Sequence, residues 1–195
     1  MRLRLGVLGS GKGSNFAAIA KAIREGDLEA DLSVVISDVK EAGILRLARD
    51  IGVPTHYVPP GRHRTKLEPE IEKQIIEILR EAKVDLVVLA GFMRVLKQGM
   101  LDAFPGRIIN IHPSLLPKFP GLQAWTQALN AGERTTGCTV HLVDAAVDTG
   151  PILGQRVVAI LPDDTSEKLH ARIQVEEHRL LPAVIADIAR KWKTG

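Results

Sequence analysis

The sequence predicts an α/β fold: an open, mostly parallel twisted sheet with helices on both faces, and antiparallel strands near the C-terminal part. Three observations predict it. Short apolar runs alternate with amphipathic stretches as far as His112. One of those runs, "VDLVVLAGF" (Val84–Phe92), is nearly all apolar, as a central parallel strand buried on both faces is. A glycine-rich turn, "GSGKGSN" (Gly9–Asn15), stands where the first strand gives way to the first helix.

Each element follows from local pattern. "LRLGVLG" (Leu3–Gly9) reads as a buried strand, and "SNFAAIAKAIREG" (Ser14–Gly26) as a helix with Ser14 as its cap and Gly26 as its stop. "ADLSVVISD" is a second strand, "EAGILRLARDIG" a second helix closed by Gly52, and "VPTHYV" a short third strand. Ile71, Ile75, Ile78 and Leu79 recur at helical spacing over Pro69–Ala82. "RIINIH" (Arg107–His112) is a further strand, which completes a βαβαβαβ order. "GLQAWTQALNAGE" reads as a short helix, and "TTGCTVHLVD" and "ILGQRVVAIL" as two antiparallel strands joined by about ten residues. Asp164 precedes Glu167 by three, a capping-box spacing that opens a C-terminal helix to Trp192. Pro182 is expected to kink that helix. With no Gly/Ser/Pro-rich linker, residues 1–195 read as a single domain.

Bulk properties narrow the function. A net charge of +3, with basic and acidic residues interleaved, suits anionic small molecules better than nucleic acid. Aromatic residues are only 4%, too few for base-stacking platforms. Cys138 is the single cysteine, so no intrachain disulfide forms and a cytoplasmic location is expected. No apolar run reaches membrane-spanning length, and the N-terminus lacks the pattern of a signal peptide.

The glycine turn offers backbone N–H groups and the positive end of a helix to a phosphate. Its spacing matches neither Gly-x-Gly-x-x-Gly nor a Walker loop. A tight strand–helix turn without a ligand fits the same residues. Asp38, after the second strand, stands where a ribose-binding acid would.

"INIHPSLLPKFPG" (Ile109–Gly121) ends an apolar strand in Asn110 and His112 and then turns to proline. The two polar residues are two apart, so they share one face at a strand's carboxyl end. An amide donor beside a titratable imidazole suits an oxyanion that develops on a carbonyl, with a proton at hand. "DAAVDTGPI" (Asp144–Ile152) supplies two acids, either of which would orient His112 and raise its pKa. Cys138 and His141 are three apart on a strand and point to opposite faces, and no metal motif is present, so no metal is expected. On the last helix, Leu169, Ile173, Leu180, Val184 and Ile188 form a stripe that includes Glu177, with Gln174 beside it. A carboxylate on an apolar stripe marks a pocket wall or a solvated boundary.

Taken together, "GSGKGSN", "VDLVVLAGFMRVL", "INIHPSLLPKFPG", "GCTVHLVDAAVDTGPIL" and "QVEEHRLLP" resemble the glycinamide ribonucleotide formyltransferases over nearly the whole chain. The resemblance implies a Rossmann-like formyltransferase fold, with a nucleotide-binding half at about 1–100 and a folate and catalytic half at about 101–195. It implies transfer of a formyl group from 10-formyltetrahydrofolate to the amine of glycinamide ribonucleotide in purine synthesis. Matching motif to motif, Asn110, His112 and Asp148 would be catalytic. Gly13, Ser14, Asn15, Gln174 and Glu177 would bind the ribonucleotide. Folate would meet Arg64, Met93, Arg94, Val95, Leu96, Asn110 and the loop Asp144, Ala145, Ala146, Val147, Asp148. The partners implied are these two small molecules, with no nucleic acid, no membrane and a monomer or homodimer. One departure is Gln123, where the family commonly has His. A methionyl-tRNA formyltransferase would differ at Pro120-Gly121 and carry a further C-terminal domain, and a formyltetrahydrofolate hydrolase would carry a domain before the first strand. A nucleotide sensor that uses only the glycine loop would leave Asn110, His112 and Asp148 without a role.

Overall fold

The computed structural model describes residues 2–62 and 66–192. A seven-stranded sheet in the order β3-β2-β1-β4-β5-β6-β7 forms its centre. The strands are β1 (Leu3–Leu8), β2 (Ala30–Ser37), β3 (Thr55–Tyr57), β4 (Leu86–Leu89), β5 (Ile108–His112), β6 (Thr135–Leu142) and β7 (Ile152–Ala159). Neighbours from β3 through β5 pair in parallel, while β5–β6 and β6–β7 pair antiparallel. Around them stand α1 (Ser14–Glu25), α2 (Gly43–Asp50), α3 (Pro69–Glu81), α4 (Gln98–Ala103), α5 (Ala124–Asn130) and α6 (Ser166–Trp192).

The strand alternation divides the core into two layers. Leu5 and Val7 of β1 join Phe16 and Ile19 of α1 and Ile173 and Leu181 of α6 on one face. Leu8 of β1 joins Ile75 and Leu79 of α3 and Met100 of α4 on the other. All four residues of β4 are buried, which is why the sequence there shows no polar alternation.

The structure differs from the sequence reading at several element ends. Helix α4 carries too short a periodic signal to be read, and it starts where the Glu72 carboxylate accepts from Lys97 N at 2.7 Å. Ser14 is not the cap of α1: Gly13 holds that position at φ 84°, and Ser14 is the first helical residue. Asp164 does not cap α6 either. Thr165 Oγ1 accepts from Lys168 N at 3.3 Å, while Asp164 takes Leu161 N and the Arg172 guanidinium. That guanidinium holds Asp164 down at about 2. Strand β4 stops at Leu89, because Gly91 at φ 75° turns the chain out of the sheet. Helix α6 runs unbroken through Pro182.

Candidate active site

In this strand order β1 lies between β2 and β4, and chain connections leave it in opposite directions. The crevice outside the carboxyl ends of such strands is where an α/β sheet binds ligands. The glycine loop follows β1, residues 93–96 follow β4, and Asn110 and His112 close β5.

The glycine loop is tightly packed. Ser10 N donates to Gly91 O at 3.0 Å, and Ile44 N donates to Gly11 O at 3.1 Å. A Cβ on Gly13 would sit 2.7 Å from Ile44 Cα, and φ 84° would strain any other residue there. The glycine is therefore required by the fold, whatever the loop binds. Beyond it the first amides of α1 have no acceptor within the helix, as at every helix start. Asn15 reaches across to α6, where its Nδ2 donates to Glu177 Oε2 at 3.1 Å. Glu177 is only 5% exposed. Burial raises its pKa, and the Asn15 hydrogen bond opposes that rise. Glu177 is thus buried rather than at a solvated boundary, with Gln174 half-buried one turn earlier. Asn15 Oδ1 is buried and has no partner among the described residues. Cys138 lies on the core side of β6 close enough to feel the Glu177 charge, and burial pushes its thiol up to about 12. That makes it an inert core residue.

Residues 93–96 form a strip tied down at both ends. Met93 N donates to Ser10 Oγ at 3.0 Å, and Lys97 N to Glu72 at 2.7 Å. Between these ties Met93 and Val95 are 54% and 42% exposed, while Leu96 is buried. Asp38 is no ribose ligand. Its Oδ1 accepts from Ser10 Oγ at 2.5 Å and its Oδ2 from Arg94 Nε at 2.7 Å. Arg64 lies outside the described residues.

Asn110, His112 and Asp148 come together from three segments. His112 Nδ1 is 3.3 Å from Asp148 Oδ2, and His112 Nε2 donates to Phe119 O at 2.8 Å. Both ring nitrogens thus face acceptors, which favours the doubly protonated ring. Burial works the other way and is the largest effect, so the His112 pKa lies below its ordinary value. Asp148 and the Phe119 carbonyl raise it only part of the way, and neighbouring His141 lowers it further. The expectation that an Asp would leave His112 with a raised pKa is corrected by this desolvation. Asp148 itself would be raised by burial, but hydrogen bonds from His141 and Gly121 N and the nearby imidazoles hold it below the usual carboxylate range.

The two acids of the 144–148 loop have different tasks. Asp144 Oδ1 accepts from Ala146 N at 3.2 Å and Thr149 Oγ1 at 2.8 Å, so it ties the loop to itself. Asp148 sits at φ 56° and turns towards His112 and Gly121 N. Gly150 lets this loop fold back on β6, since a Cβ there would lie 1.8 Å from Leu142 O. Val147 is half exposed beside it.

His141 is a site residue that the sequence reading used only to weigh a metal. It pairs with Asn110 across β5–β6. Its Nδ1 donates to Leu142 O at 2.9 Å, and its Nε2 lies 3.3 Å from Asn110 Nδ2. Asp148 Oδ1 lies 3.6 Å from the same nitrogen. The signal was a histidine closing an apolar strand, as His112 does, but only strand pairing could align the two. Among the described residues no group of three or more His, Cys, Asp or Glu is placed to hold a metal ion.

Gln123 stands apart from this cluster. Its backbone, at φ 53°, caps α5, and its side chain lines a recess of about 380 Å³ with Trp125, Thr126, Ser166, Glu167 and His170.

A glycine loop, an exposed strip and an Asn–His–Asp cluster around one crevice define an α/β group-transfer site. The comparisons say which class. A family model described as formyl transferase matches residues 3–185. The chain belongs to the formyl transferase family. It is 40% identical to the phosphoribosylglycinamide formyltransferase of Bacillus subtilis, over 95% of this chain and 94% of that one. It is 44% identical to the trifunctional purine biosynthetic protein adenosine-3 of Drosophila melanogaster over 95% of this chain, but it spans only 14% of that longer protein. Among solved structures, glycinamide ribonucleotide transformylase 1 from Symbiobacterium toebii superposes with a TM-score of 0.93 at 46% identity, covering 97% of this chain and 89% of that one. The phosphoribosylglycinamide formyltransferase of Bacillus halodurans gives 0.91 at 39%, covering 97% and 96%.

Proposed function

We propose that the chain transfers the formyl group of 10-formyltetrahydrofolate to the amine of glycinamide ribonucleotide, a step of purine synthesis. One observation carries the reading: Asn110 and His112 close β5 with Asp148 at 3.3 Å from the imidazole, at the same carboxyl edge of the sheet as the glycine loop after β1 and the exposed strip after β4. The phosphate of the ribonucleotide would lie on the first amides of α1, at Gly13, Ser14 and Asn15, with Glu177 and Gln174 opposite. Folate would lie along Met93–Leu96 and the 144–148 loop.

In this scheme the amine lone pair attacks the formyl carbon, a C–N bond forms, and the carbonyl electrons move to oxygen. Asn110 Nδ2 donates to that oxyanion, and His112 donates beside it once substrate draws Nε2 away from Phe119 O and the developing negative charge favours the protonated ring that burial opposes. Asp148 orients the ring and balances its charge. When the carbonyl reforms, the bond to the folate nitrogen breaks, and the proton of the attacking amine ends on that nitrogen. His141 holds the Asn110 amide in place. No metal takes part in the scheme.

The single domain belongs to the same proposal. Its two halves interlock, since Asn15 of the first bonds Glu177 of the second. The partners are small molecules, the assembly a monomer or homodimer, and the compartment the cytoplasm. Among the described residues no helix is long and apolar enough to cross a membrane.

The test is to mix the purified protein with 10-formyltetrahydrofolate and follow tetrahydrofolate, with and without glycinamide ribonucleotide. Release that requires the ribonucleotide supports the transferase. Release without it points to a hydrolase, and no release in either arm removes the catalytic reading.

A further inference from the structure

Asp38 is buried at the end of β2, 5% exposed, and both of its oxygens are taken by groups from other segments. Ser10 donates its one hydroxyl proton to Oδ1, which leaves its lone pairs to accept from Met93 N at 3.0 Å. Arg94, the next residue, donates Nε to Oδ2 at 2.7 Å, with its side chain only 12% exposed. One carboxylate therefore sets the backbone of Met93 and the guanidinium of Arg94, and it does so through a residue of the glycine loop. Glu72, also 5% exposed, anchors Lys97 N at the far end.

We infer that Asp38 is a positioning residue for the folate strip, acting through Ser10 and Arg94; this rests on the formyl-transfer reading of the crevice. The chemistry calls for a carboxylate. It accepts from both partners at once, and it fixes the direction of the Ser10 hydroxyl. An amide at 38 would turn an NH₂ towards either Ser10 or Arg94. It would then compete with Met93 N–H for the Ser10 oxygen, or face a guanidinium that has nothing to accept with. The His112 cluster shares none of these bonds, so its chemistry stands apart from the strip's alignment.

The experiment is a steady-state comparison of wild type and Asp38→Asn with both substrates varied. A lost charge-assisted tie on one ligand's subsite is expected to raise KM for 10-formyltetrahydrofolate about tenfold. KM for the ribonucleotide and kcat should stay within about twofold. An equal rise in both KM values, or no change in either, overturns the inference. Amide exchange at Met93 gives a second readout that needs no substrate. Asp38→Asn should speed that exchange, and unchanged exchange overturns the inference as well. If Asp38→Asn does not fold, Ser10→Ala cuts the same link and must give the same rise in folate KM and the same faster exchange. A wild type that releases no tetrahydrofolate in the presence of ribonucleotide sinks the formyl-transfer reading instead, and the exchange result still judges the link.

Discussion

Gly9–Asn15 takes its shape from backbone packed against backbone, whereas the His112 cluster takes its shape from side chains that three segments bring together. In the loop, Gly13 meets Ile44 and Gly11 O receives Ile44 N, so small residues and a helix start suffice. In the cluster, β5 supplies Asn110 and His112, β6 supplies His141, and a loop beyond β6 supplies Asp148. The loop should accordingly fail by losing the fold, and the cluster by losing chemistry with the fold kept.

The largest expected effect is on turnover. His112→Ala and Asp148→Asn should each lower kcat/KM about a thousandfold, with urea unfolding midpoints near that of wild type. A drop under tenfold in both would show that the cluster does not carry the reaction. Gly13→Ala should do the reverse. Strain at φ 84° and contact with Ile44 should cost about 2–3 kcal/mol in equilibrium unfolding. An unchanged midpoint would mean that the loop adapts more freely than its packing suggests.

Glu177 sharpens the comparison because it joins the two regions. Its folded pKa is raised, so its contribution is fully present below the ordinary value near 4.5 and is lost as pH rises through the folded value. Wild type should lose stability on that alkaline side, and Glu177→Gln should show a flatter profile there in urea titrations between pH 4 and 8. The smallest effect is expected from Gln123→His. That side chain lines a recess separate from the His112 cluster, so turnover and its pH profile should stay within about twofold. A new ionisation in the profile would place residue 123 in the proton path.

The order of elements was legible because each depends on local rules. Alternating apolar runs marked β1 to β5, Gly26 and Gly52 marked helix ends, and Asn110 with His112 stood out as polar residues closing a buried strand. The caps were less legible. Gly13 and Thr165 each stand one residue from the expected position, and a cap depends on backbone angles that composition does not set. Helix α4 escaped because a six-residue helix leans on Glu72 from α3 rather than on its own periodicity.

Residue types and their spacing thus determine the α/β class, the glycine turn, the Asn–His pair and the acidic loop, since helix and strand periods and turn chemistry act over a few residues. Spacing alone leaves Asp144 and Asp148 open and the family resemblance points to Asp148; tertiary structure alone decides that His141 lies against Asn110 and that Asp38 is spent on Ser10 and Arg94. It also decides the direction of the His112 pKa, because desolvation depends on what packs around the ring, while the charge of a neighbouring acid is all that the sequence displays.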